Sequence, residues 1–171
     1  MNQLVRLVWD ICCLRRGPQD LPYSPVLLLL TCAFLVLLQA VAEFVLGGQQ
    51  DAVGAAVLSL VLQLGALWLL LSLRGLANRF VQAALALLGC ELVFSLIAFT
   101  MALLFGASGQ KSEPTLLQAL LVIIFLPTMA WKILVDAHIL RYSLNVPFLA
   151  AAALAILWFI LDYALSAAGS H

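Results

Sequence analysis

Charge is scarce in this chain. Only 9% of its 171 residues are Asp, Glu, Lys or Arg, against roughly 25% in an ordinary soluble domain. With 65% of the residues hydrophobic, too little polar surface remains to clothe a water-soluble globule, so a soluble fold is excluded. The formal net charge is zero and no run of five or more Lys or Arg occurs, so the positive field that nucleic acid requires is missing. Histidine is nearly absent, with two in all. The four cysteines, Cys12, Cys13, Cys32 and Cys90, form no C-x-x-C pair and have no nearby His, which argues against dithiol redox chemistry and zinc binding. A phosphate loop, a metal-ligand cluster and a nucleophile with its base are likewise missing. No catalytic residue, metal or cofactor is therefore expected. The start of the chain lacks the basic stretch, short apolar core and small-residue cleavage site of a signal peptide, so the first apolar run is expected to be retained.

What is present is long apolar runs. A hydrocarbon layer of about 30 Å takes roughly 20 residues of helix, which leaves room for about five spans with short loops. The expected fold is all-α, a single integral membrane domain over residues 1–171, with spans at 25–46, 52–73, 80–105, 115–135 and 147–168. Ser24-Pro25 opens the first as N-cap and first-turn proline, and Gly47-Gly48 closes it. Asp51, Asn78 and Asn145 are candidate caps for the second, third and fifth. Thr115 with Gln118 fits a capping box for the fourth, and Pro127 should kink that helix near 123–127. Residues 1–16 carry Leu4, Val5, Leu7, Val8, Ile11 and Cys12 at near-helical spacing, which suits a helix lying on the membrane surface. The alternative is a terminal helix packed on the bundle. On the surface reading, deletion of residues 1–14 should leave the bundle folded.

The basic residues fall on one side of such a bundle. Arg6, Arg15, Arg16, Arg74, Arg79, Lys132 and Arg141 share it, and Lys111 alone is opposite. The positive-inside rule makes that side cytoplasmic, which puts the N-terminus inside and His171 outside.

Ionisable groups at bilayer depth are functional candidates by default. Glu91 lies near the middle of the third span, at about the depth of Gln63, with Ser95 one turn along. With no basic residue at its depth, Glu91 is expected to be protonated, bonded to Gln63 as interhelical glue or acting as a proton relay. Gln39 with Glu43, and Asp162 with Ser166, are i, i+4 strips in the outer halves of the first and fifth spans. They either line an acidic pocket or reach the headgroups. Lys132, Asp136, His138 and Arg141 read as an inner-face collar of snorkelling side chains. His138 and Asp136, two positions apart, should not face each other. Cys12-Cys13 could accept a fatty acyl chain, or be plain apolar residues. Ala55 with Ser59, and Ala151 with Ala155, give small faces for close helix approach.

The layout resembles one family. Arg16-Gly17-Pro18-Gln19-Asp20-Leu21-Pro22 just ahead of the first span, Trp131 at the end of the fourth, and Trp131 to Ser143 (WKILVDAHILRYS) before an alanine-rich last span look like the Yip-type five-span membrane proteins, especially their bacterial members. That resemblance implies a non-enzymatic protein of the bacterial inner membrane that organises membranes and binds lipids, other membrane proteins or itself. The alternative from another class is a small transporter or channel subunit using Glu91, Glu43 and Asp162 for proton or cation passage.

Overall fold

The computed structural model describes residues 2–46, 52–107 and 116–168. The described residues form six α-helices and no strand: α1 Asn2–Cys12, α2 Pro25–Leu46, α3 Ala52–Leu73, α4 Phe80–Ala107, α5 Leu116–Leu144 and α6 Phe148–Ala168, with single 3₁₀ turns at Pro18–Asp20 and Ala77–Arg79. Four of them, α2 to α5, are long and apolar enough to cross a membrane. Over the residues whose side chains are described, α6 offers a shorter apolar stretch, Phe148–Leu161.

Helix ends follow local chemistry. Ser24 Oγ accepts the Leu27 N–H at 3.3 Å, the expected N-cap of α2. The proposed caps Asp51 and Thr115 lie outside the described residues. Gly75 ends α3 with φ +68°, and the Leu76 N–H reaches back to the Leu71 carbonyl at 2.8 Å, a Schellman closure that needs a left-handed residue. Asn145 does the same for α5, with φ +52° and the Val146 N–H on the Arg141 carbonyl. Asn145 therefore terminates α5 and does not cap α6; asparagine suits either role because its short side chain tolerates the left-handed region. Nor does Asn78 cap α4, since it sits inside the 3₁₀ turn that leads into that helix.

The largest departure from the expected spans is at the end of α5, which continues to Leu144. The fourth span was expected to stop near Val135, with Asp136, His138 and Arg141 in a polar collar at its inner end. In the fold, Ala137, Ile139, Leu140 and Leu144 are buried, so this segment has an apolar face of its own and stays helical to cover it. The helix is continuous through Pro127. At 28 and 29 residues, α4 and α5 are about 42 and 44 Å long and exceed the hydrocarbon layer by roughly 12 Å.

α4 is the central helix. Its residues Ala83 to Leu88 are all buried, and it packs against α1, α2, α3 and α5. α6 leans mainly on α5, with the small residues Ala151 and Ala155 fully buried. The outward faces are apolar, among them Leu30, Phe44, Leu73, Ile123 and Leu149, an arrangement that suits lipid and not water.

α1 packs on the bundle by one face. Ile11 and Cys12 are fully buried while Val5 and Trp9 are exposed. Val8 sits against Gly89 of α4, where an added Cβ would lie 3.2 Å from a Val8 methyl; glycine is what allows the two helices to approach this closely. α1 ends in a Schellman closure at Leu14, φ +60°, with the Arg15 N–H on the Asp10 carbonyl at 2.9 Å.

Candidate functional site

The polar centre of the bundle is an ion cluster shared by α4 and α5. Lys132 Nζ lies 2.9 Å from Glu91 Oε2 and 3.3 Å from Asp136 Oδ2. The Lys132 and Asp136 side chains are 7% and 6% exposed and that of Glu91 is 21% exposed. Asp136 follows Lys132 by one turn, the spacing at which helical side chains meet. Glu91 is brought in from the facing helix.

Two expectations are corrected by this geometry. Glu91 was to stand at its depth without a basic neighbour, yet Lys132 is in direct contact with it. Lys132 and Asp136 were to snorkel as part of an interfacial collar, yet protein covers both. The collar was inferred from a helix that stopped near Val135; because α5 runs on to Leu144, Lys132 lies in its second half and not at its end. A lysine that deep cannot extend to water and must be neutralised by carboxylates instead.

Gln63 of α3, half-buried, lines one small cavity with Glu91, Asp136 and Trp158 of α6. Its volume is about 10 Å³, room for about one water molecule. Ser95, one turn beyond Glu91, is half-buried. The outer strips are not gathered here: Gln39 and Glu43 are exposed on α2, and the side chain of Asp162 lies outside the described residues.

An aromatic and thiol group neighbours the ion cluster along the chain, Trp131 next to Lys132 and Cys90 next to Glu91, and sequence reasoning missed it. The Trp131 indole N–H donates to the Cys12 carbonyl at 2.8 Å. Its ring meets Phe94 edge-on at 5.0 Å between centroids and Trp9 at 6.4 Å. The Cys12 and Cys90 sulfurs are 3.1 Å apart, both thiols free and buried. Burial of Cys12 removes it as an acylation site; Cys13 is half-exposed. The available signal was Trp131 beside Lys132, an interface residue next to a charge inside a long helix.

The rest of the collar serves the connections. His138 Nε2 lies 3.0 Å from the Arg16 carbonyl and its ring meets Tyr142 edge-on. Arg141 lies over the Tyr142 ring at 5.7 Å. The Gly17–Leu21 element folds as a turn closed by the Gly17 N–H on Asp20 Oδ2 at 3.3 Å. It is pinned to α4 by the Gln82 amide, which donates to the Leu21 carbonyl at 2.8 Å.

Chemically, one lysine facing two carboxylates is a cross-brace with a formal excess of one negative charge when all three ionise. Such a group can lock helices together, and it can hold a proton. No protein-family model, curated protein or solved structure matches this chain.

Proposed function

We propose that this chain is a non-catalytic, five-span integral membrane protein that acts by organising the membrane or by binding other membrane proteins, as the Yip-type layout implies. Its place is a bacterial inner membrane, with the end bearing Arg74, Arg79 and Arg141 in the cytoplasm and α6 as the fifth span. The observation that carries this reading is that the deep charges of α4 and α5 are turned onto one another. Lys132 is held by both Glu91 and Asp136, so these groups brace the bundle, and α1 is tied to α5 by Trp131. The exposed face of α1, with Val5 and Trp9, then lies at the inner leaflet as a contact surface.

Purification in mild detergent followed by mass spectrometry tests this directly: a stoichiometric membrane-protein partner is the expected result. Topology is checked separately. A reporter after His171 should read external and one between Arg74 and Arg79 internal, because insertion follows the distribution of Lys and Arg. Two reporters on one side would break the five-span reading.

The transport alternative draws support from the unbalanced charge of the cluster and the water-sized cavity beside Glu91. It makes the opposite prediction for Glu91→Gln. Proton flux in liposomes that is present in wild type and abolished by this change, at unchanged thermal stability, would replace the organising role with a relay.

A further inference from the structure

At the basic end of the bundle a second cavity opens, of about 310 Å³, within the range of roughly 300–1,000 Å³ typical of small-ligand sites. It lies between the Pro18–Asp20 turn, the first turn of α4 and the last turn of α5. Its polar lining is Gln19, Arg79, Gln82, Tyr142, Ser143 and Asn145.

Ser143 and Arg79 stand out among these side chains. Ser143 is only 2% exposed, and its hydroxyl has no hydrogen-bond partner among the described residues. A helical hydroxyl ordinarily returns its proton to the carbonyl four residues earlier, as Thr31, Thr100 and Thr128 all do in this protein. Ser143 does not, although leaving a buried hydroxyl unmet costs about 1–3 kcal/mol. Among the described residues, Arg79 makes one hydrogen bond, from Nη1 to the Tyr142 carbonyl at a long 3.4 Å, out of five N–H donors in its fork.

The surroundings favour an anion. Arg74 donates to the Leu144 and Asn145 carbonyls, and Arg141 is on the same turn of α5. The acid of the adjoining turn, Asp20, is engaged by the Gly17 N–H. The Gln82 amide nitrogen is already held by Leu21.

We propose that this cavity binds a phosphate group, with Arg79 presenting its planar fork and Ser143 a buried O–H donor. Arginine matches phosphate oxygens in pairs, and a basic pocket between helices at the polar end of a membrane bundle suits the headgroup of an anionic phospholipid. A free phosphate compound offers the same oxygens.

The test uses the purified full chain in neutral detergent, titrated with phosphatidylglycerol or with diacylglycerol of the same tails, which lacks the phosphate. Phosphatidylglycerol should bind at least tenfold more tightly. Arg79→Gln should erase that preference and Ser143→Ala should reduce it severalfold. The Ser143→Ala protein should melt no lower than wild type, since the change removes an unmet buried hydroxyl. Displacement of the lipid by millimolar inorganic phosphate would identify a soluble phosphate compound as the occupant, and failure to displace it would identify the lipid. Equal binding of the two lipids with no effect of inorganic phosphate on the melting temperature would overturn the proposal, as would a preference that survives both Arg79→Gln and Ser143→Ala. Should Arg79→Gln fail to fold through loss of its Tyr142 contact, Ser143→Ala decides the matter alone.

Discussion

Lys132→Met is expected to be the most damaging single substitution in this protein, lowering the melting temperature in detergent by on the order of 10 °C. The change removes a cation that contacts two carboxylates, Glu91 and Asp136, at 2.9 and 3.3 Å. Deleting one partner of a buried ionic group costs about 3–5 kcal/mol, because what remains is buried charge of one sign. In a chain of this size each kcal/mol is worth roughly 2–4 °C. The loss comes from the stranded carboxylates and not from the missing methylene contacts, since methionine fills nearly the same volume.

That attribution has its own check. Glu91→Leu and Asp136→Leu added to Lys132→Met should restore most of the lost stability, because a buried ionic cluster replaced by apolar groups of similar size is often neutral or better. Glu91→Gln alone should be mild, since it leaves Lys132 and Asp136 as a balanced pair one turn apart. A Lys132→Met protein that melts within two or three degrees of wild type would mean that the cluster does not brace the bundle.

Four long apolar helices were legible because many of their limits are written in residues with strong local preferences, though the fourth was expected to stop near Val135 and runs on to Leu144. Pro25, Gly75 and Asn145 each sit where the backbone turns, and the intervening runs are too apolar to be anything but buried or lipid-facing. The ion cluster was legible only by half. The i, i+4 spacing of Lys132 and Asp136 placed those two together, but the meeting with Glu91 depends on how α4 and α5 are rotated about their axes. Helices that are apolar on every side carry no periodic signal of that rotation. The same gap hid Cys12 against Cys90 and Ser143 within the basic-end cavity. Asp136, His138 and Arg141 misled in another way: three polar residues in six masked the buried stripe of Ala137, Ile139, Leu140 and Leu144, to which Asp136 itself belongs. For α1, near-helical apolar spacing suits a membrane surface and a protein groove equally well. What decides its packing is Gly89, a single missing side chain three helices further on in the chain.

That packing implies a result opposite to the one an independent surface helix would give. Trp131→Ala should release α1 and lower stability by about 3 kcal/mol, the lower end of the range for removing a large aromatic ring, since Trp131 is half-buried. Three contacts go at once: the edge-on packing with Phe94, that with Trp9, and the indole N–H on the Cys12 carbonyl. The last matters because Cys12 closes α1, where carbonyls have no partner within the helix. Its neighbours Trp9, Asp10 and Ile11 give their carbonyls to Cys13, Arg15 and Leu14, so Trp131 satisfies the one that α1 cannot. Trp131→Phe retains most of the ring contact and loses only the hydrogen bond, so it should cost about 1 kcal/mol. Maleimide labelling in a Cys13→Ser, Cys32→Ser background supplies the second readout. Cys12 and Cys90 are buried together under α1 and should be unreactive in wild type, reactive in Trp131→Ala and nearly unreactive in Trp131→Phe. Deletion of residues 1–14 should expose Cys90 in the same way and destabilise the bundle at least as much. If the alanine variant melts like the phenylalanine variant and Cys12 stays protected, α1 is held by its own apolar face and Trp131 is a bystander.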